Sequence, residues 1–166
     1  TASYTDVRIE CHFADESRLA RVTQSDWAAL NRLANSIRAT AFVVDAPPSA
    51  LDVETLVLIA ISDANRTGIQ PTVIKGDRLK DYGLNGLYNV GKAAKEEPVF
   101  VCLSHKSQGA KKSFALVGQG IMFDTGGLQM KSKDAMPGGK SHMAGAAAAL
   151  EAFNTLVAAG FTQDLH

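Results

Sequence analysis

Between Phe114 and Phe153 the chain reads FALVGQGIMFDTGGLQMKSKDAMPGGKSHMAGAAAALEAF. No other stretch constrains the fold as strongly. It opens on an apolar run, Phe114 to Val117, of the kind that forms a buried strand. Gly118, Gly120, Gly126 and Gly127 follow, and then an Ala-rich segment, Gly145 to Ala159, with high helix propensity. Glycines this dense weaken a plain strand. They suit backbone that turns sharply beside polar groups held in place. Asp124 and Lys131 lie on this loop, and His142 stands just before the helix. Strand, glycine loop, charged residues and helix in that order build a site at the end of an α/β sheet.

The rest of the chain supports an α/β domain. Its 166 residues are the length of one domain, and 46% hydrophobic with 20% charged residues is globular composition. Seventeen Lys and Arg balance seventeen Asp and Glu, so no basic face for nucleic acid is expected. The longest apolar runs, such as Leu56 to Ile61, are too short to span a membrane. Cys11 and Cys102 each sit in a strand-like run, which reads as two buried thiols.

Val7, Ile9, Cys11 and Phe13 alternate with polar residues, so Thr5 to Phe13 is expected to form a half-buried strand with His12 on its polar face. Ser25-Asp26 can cap a helix over Asp26 to Ala41, with Trp27, Leu30, Leu33, Ala34, Ile37 and Ala41 as its buried stripe. Pro47-Pro48 breaks it. A second helix is expected from about Leu51 to Arg66, burying Val53, Leu56, Val57 and Ala60 and stopping at Gly68. Gln70 to Ile74 reads as a strand and Asp77 to Tyr82 as a helical turn or two. Leu84 to Ala94 reads as a compact segment with Leu87, Tyr88 and Val90 turned inward. Pro98 to Ser104 reads as a strand buried on both faces, with Phe114 to Val117 as its hairpin partner. In the last helix Leu150, Phe153, Leu156 and Val157 form the packing stripe, and Gly160 ends it.

Two passages carry a resemblance to a known family. GxGIxFDTGGLxxKxxxxMPGxKxxxxGAAAxLxAF, with GIQPTVIKGDRLKDYGLNGLYNVGKAA upstream of it, resembles the leucine aminopeptidase family of two-metal exopeptidases, in its branch with DTGGL and a Met-Pro-Gly segment. The resemblance covers roughly Thr40 to His166. It implies a mixed β-sheet flanked by helices, corresponding to the front half of that family's catalytic domain. Residues 26–166 would be a partial catalytic domain, incomplete at its C-terminal end. Residues 1–25 would be a remnant of an amino-terminal domain or a strand extension.

The resemblance also places functional residues. Asp124 matches the family's Asp shared by two metals, and Lys131 its catalytic Lys. Gln119 stands where the family has a ligand Lys, and His142 where it has a ligand Asp. Ala144 replaces the first glycine of a Gly-Gly pair. The downstream acids and arginine of the family's motif have no counterpart in this sequence. Two divalent cations need several anionic oxygens, and the matched positions hold a single carboxylate. Asp134 and Glu151 match no ligand position and read as solvated. Asp124 is then expected to cap backbone amides of the glycine loop, Lys131 to pair with it, and His142 to cap or pack against the last helix.

The expected role is that of a catalytically inactive, leucine-aminopeptidase-like structural or assembly subunit of a larger complex. The alternative is half of a split or processed two-metal aminopeptidase completed by another chain. An ordinary active aminopeptidase ranks third. No cofactor is expected for the isolated chain, and zinc or manganese if a partner completes the site. Protein partners, in a homo- or hetero-oligomer, are expected to cover an open sheet edge. The setting is expected to be intracellular, in the cytoplasm or an organelle such as the mitochondrion, since a start at Thr1 fits a removed targeting peptide.

Overall fold

The computed structural model describes residues 21–166. The strand expected over Thr5 to Phe13, with Cys11 and His12, lies outside them. The first helix, α1, spans Gln24–Asp45. Its cap is Thr23, two residues before the expected Ser25-Asp26. Thr23 Oγ1 accepts the Asp26 N–H, and Asp26 Oδ2 accepts the Thr23 N–H at 2.8 Å, a reciprocal box that serves two amides left over at the helix start.

The orientation of α1 overturns the sequence expectation. Ala28, Arg32, Ser36, Ala39, Thr40 and Val43 form its inward face. The stripe of Trp27, Leu30, Leu33 and Ile37 is exposed, Ile37 at 61%. The partner surface explains the choice. α1 packs along the Ala-rich helix α5, Ala144–Ala158. Small side chains on both faces let the two backbones approach, and Ser36 Oγ shares a 2.6 Å hydrogen bond with Thr155 Oγ1. Bulky Trp27 and Leu30 would hold the helices apart.

Helix α2 spans Val53–Arg66; Asp52 caps it by accepting the Thr55 N–H at 2.8 Å, and Gly68 ends it at φ 72°. Val43, Leu51, Met143 and Ala147 form one buried cluster, and Ala64, Leu103, Phe153 and Leu165 another. In the second, the expected stripe Leu150, Leu156 and Val157 packs around Phe153. Glu151, expected in solvent, is instead half-buried.

Strand β1 (Thr72–Lys75) leads through short helix α3 (Arg78–Asp81) to α4 (Asn85–Gly91), where Val90 points to solvent rather than inward. Strand β2 (Val99–Cys102) pairs antiparallel with β1, Thr72 opposite Cys102. β2 is half-buried along its length, and so is the Cys102 thiol, rather than fully enclosed.

The expected hairpin between β2 and the Phe114 run does not form. Strand β3 is only Ser113–Phe114 and pairs parallel with β4, Asp164–Leu165, while His105 bridges antiparallel to Leu165. The end of the described chain thus lies between two segments that are adjacent in sequence. Tight hairpins need loops of about two to five residues, and the loop after β2 is longer and is occupied by side chains of the arriving strand. Asp164 accepts the Ser107 N–H and the Lys106 ammonium, and Gln163 Oε1 accepts the Lys111 and Lys112 N–H groups. Val117, expected in a buried strand, is 93% exposed. No helix among the described residues is long and apolar enough to cross a membrane.

Candidate active site

The glycine loop runs from Gly118 to the 3-10 turn Pro137–Ser141, which delivers His142 and then α5. Gly118 lies against the start of α5, where a Cβ would strike the Gly145 carbonyl and the Ala146 Cα. Gly126 has φ 95°, and a Cβ there would strike the Gln129 carbonyl. Only a glycine allows this reversal. It brings the Lys131 N–H onto the Thr125 carbonyl at 2.8 Å and folds the Lys131 side chain back toward Asp124.

Three of the four residues singled out in the sequence meet here. Asp124 Oδ2 lies 3.2 Å from Lys131 Nζ and 2.9 Å from His142 Nδ1, and Lys131 Nζ lies 3.3 Å from His142 Nε2. Asp124 Oδ1 accepts the Gly126 N–H at 2.8 Å. One arrangement of protons satisfies all of these contacts. A neutral imidazole donates Nδ1–H to the carboxylate and accepts from the lysine ammonium at Nε2. The Gly126 amide, and after it Lys131, hold the Asp124 carboxyl below the usual carboxylate range. The expected amide cap and the expected Asp124–Lys131 pair are both present.

His142 differs from expectation. The residue at the cap position before α5 is Met143, which makes no side-chain cap, and the imidazole of His142 joins the carboxylate–ammonium pair instead. Gln119 takes part only through its backbone, its carbonyl accepting the Ala146 N–H at 3.0 Å. No hydrogen bond links its carboxamide to Asp124 among the described residues. Asp134 is exposed on the loop, as expected. Lys140 was not singled out in the sequence. Its ammonium donates to the Val44 carbonyl at 2.9 Å, tying the loop to the end of α1. Its only sequence signal is its place beside the Met-Pro-Gly turn, which does not separate it from a solvated lysine.

The donor set does not fit a pair of divalent cations. Among the described residues, no three His, Cys, Asp or Glu side chains converge as a metal-binding group. Asp124 is the only carboxylate in the cluster, and Lys131 and His142 already serve its Oδ2. Imidazole supplies no negative charge where two cations would need it. The arrangement is a hydrogen-bonded network around one carboxylate.

Comparison with known proteins agrees with the motif reading. The sequence pattern of the cytosol aminopeptidase family, catalytic domain, matches residues 38–166. Leucine aminopeptidase 1 of Caenorhabditis elegans is 45% identical over 146 residues, which cover 88% of this chain and 30% of that protein. Its solved structure superposes with a TM-score of 0.85 at 44% identity over the same shares of the two chains. The probable aminopeptidase NPEPL1 of Mus musculus is 39% identical over 145 residues, 87% of this chain and 28% of that one. The chain therefore spans less than a third of the length of these relatives.

Proposed function

Because this chain belongs to the cytosol aminopeptidase family, we propose that it is a catalytically silent member whose role is structural, as an assembly subunit of a larger complex. The observation that carries the proposal is the closed Asp124–Lys131–His142 network. In a two-metal peptidase the cations polarise the scissile carbonyl and lower the pKa of a bound water to make the nucleophile. Here the matching carboxylate is neutralised by protein hydrogen-bond donors. Gln119 and His142 supply no anionic oxygen in place of the family's ligands. We assign Lys131 to holding Asp124 and His142 in place rather than to chemistry.

A second reading is favoured by the apolar side chains left open around the loop. Val117, Leu128 and Met130 are strongly exposed beside the network. Further polypeptide, from this protein or from another chain, would cover them and could bring the missing acids. The assembled unit would then be a zinc- or manganese-dependent aminopeptidase releasing N-terminal residues from peptides. Under either reading protein partners, as a homo- or hetero-oligomer, cover these side chains, nucleic acid is not a partner, and the setting is intracellular.

The test is metal stoichiometry by elemental mass spectrometry, on the protein purified with its native partners after exposure to zinc and manganese. Retention of essentially no metal is expected. Retention near two ions per chain would overturn the silent reading and make Asp124 and Lys131 catalytic candidates.

A further inference from the structure

Away from the glycine loop, α1, α2 and α5 meet over a second polar cluster that the family reading does not use. Asp63 on α2 is 6% exposed and Asn154 on α5 is 7% exposed. Arg66 holds Asp63 Oδ1 at 3.1 Å, but its side chain is 71% exposed, so most of its charge is spent on water. Asp63 Oδ2 and both polar atoms of the Asn154 carboxamide make no hydrogen bond of good geometry, although Asn154 faces Asp63 closely enough to favour its ionised form slightly. Glu151 lies one turn before Asn154 on the same side of α5, half-buried against Ser36 of α1. The Ser36 and Thr155 hydroxyls complete the junction. Arg32, one turn before Ser36 on the inward face of α1, is the other cation that face presents; no ion pair joins it to Asp63 or Glu151 among the described residues.

A buried carboxylate oxygen without a donor is costly, and a buried carboxamide with both ends unserved adds to that cost. Protonation changes the chemistry of the atom in question. An ionised Oδ2 only accepts, whereas a protonated one donates, and the Asn154 carboxamide that faces Asp63 carries an unused oxygen acceptor for it. We propose that Asp63 takes up a proton toward the Asn154 carboxamide as pH falls, and that this junction is an acid-favoured latch clamping α2 onto α5. Burial pushes the Asp63 carboxyl above its ordinary range, with Arg66 and Asn154 pulling it back by less. Burial also raises Glu151, and the neighbouring Asp63 charge adds to the rise.

The direction of the pH dependence follows. A carboxyl whose folded value lies above its unfolded value binds more protons when folded. Its stabilising effect is complete below the unfolded carboxylate value and is lost as pH rises through the folded values. The latch reaches the glycine loop by two routes. α5 begins two residues after His142, and Lys140 grips the end of α1.

The experiment is a carboxyl-carbon NMR titration of the whole chain, with thermal melts of the native protein, Asp63→Asn and Glu151→Gln across the same pH range. Titration of both carboxyls above the ordinary range is expected. So is a folding equilibrium at least about twofold more favourable at about pH 4.5 than at about pH 7.5, measured relative to Asp63→Asn. Asp63→Asn and Glu151→Gln should each melt higher than native at neutral pH and show a flatter pH profile. Ordinary titration of both carboxyls would overturn the latch, as would a native pH slope that survives in both variants. If Asp63→Asn does not fold, Glu151→Gln and the native titration decide the question.

Discussion

Two polar clusters in this chain are built on opposite principles. Asp124, Lys131 and His142 lie on an open glycine loop, and every contact between them has a donor and an acceptor. Asp63, Asn154 and Glu151 lie in a closed helix junction, and three polar atoms there have no partner. The loop cluster is near solvent and could leave groups to water, yet it serves them internally. Asp63 and Asn154 are buried away from water, yet three of their polar atoms go unserved. The difference teaches where each cluster's specificity comes from. On the loop, backbone turns and charge pairing choose the geometry. In the junction, apolar packing chooses it, and the polar groups follow at a cost.

Breaking the packing is expected to have the largest effect. Phe153 is nearly fully buried beside Asn154, and Phe153→Ala should cost about 3–5 kcal/mol. Denaturant unfolding reads this loss. The acid-favoured pH slope should disappear with it, because water then reaches Asp63.

On the loop side the strongest single change is Gly126→Ala. A positive φ and the strike against the Gln129 carbonyl should cost about 1–3 kcal/mol and release Lys131 from Asp124. A return of the Asp124 carboxyl toward its ordinary titration range is the readout. An unchanged low value would mean that the turn does not hold the network.

Thr23→Ala removes one half of the α1 cap and should cost about 1 kcal/mol with no change in either cluster's titration. A change at Asp63 would show that the cap sets the register of α1 on α5.

Lys131→Met sharpens the comparison with the smallest change in stability. Asp124 is held low in the folded state, so its contribution is present above the unfolded carboxylate value and is lost as pH falls through the folded one. That is the opposite sign to the junction. The variant should weaken this acid-side loss and leave the slope nearer neutral pH untouched. A parallel shift of both windows would show that the two clusters are coupled through α5.

Much of the loop was legible in the sequence. Gly126, Asp124 and Lys131 interact within a few residues of one another, so motif order and turn chemistry were enough to anticipate the amide cap and the ion pair. The stops at Gly68 and Gly160 are local in the same way, each taking a positive φ that few other residues adopt. The side chain of His142 was read wrongly. It stands eleven positions along the chain from Lys131, and whether it caps a helix or enters the loop depends on how that chain returns.

The face of α1 shows the same limit at larger scale. Trp27, Leu30, Leu33 and Ile37 recur at helical spacing and so predict a helix, but spacing does not say what the stripe touches. The small-residue face of α5 settled that by admitting a close neighbour. The β2–β3 hairpin failed for a related reason: adjacency in sequence suggested pairing, while Asp164 and Gln163, some fifty residues on, carry the partners that fill the intervening loop.

By itself, then, the sequence determined which segments are the long helices, that a glycine loop carries an aspartate paired to a lysine, and which family pattern the loop follows. Those depend on backbone sterics and on contacts a few residues apart. Only the tertiary structure decided that α1 turns its apolar stripe outward, that β4 lies between β3 and the chain leaving β2, and that Asp63 is buried against Asn154. Each of those depends on surfaces far apart in the chain competing for the same space, and close packing admits only the combination that fits.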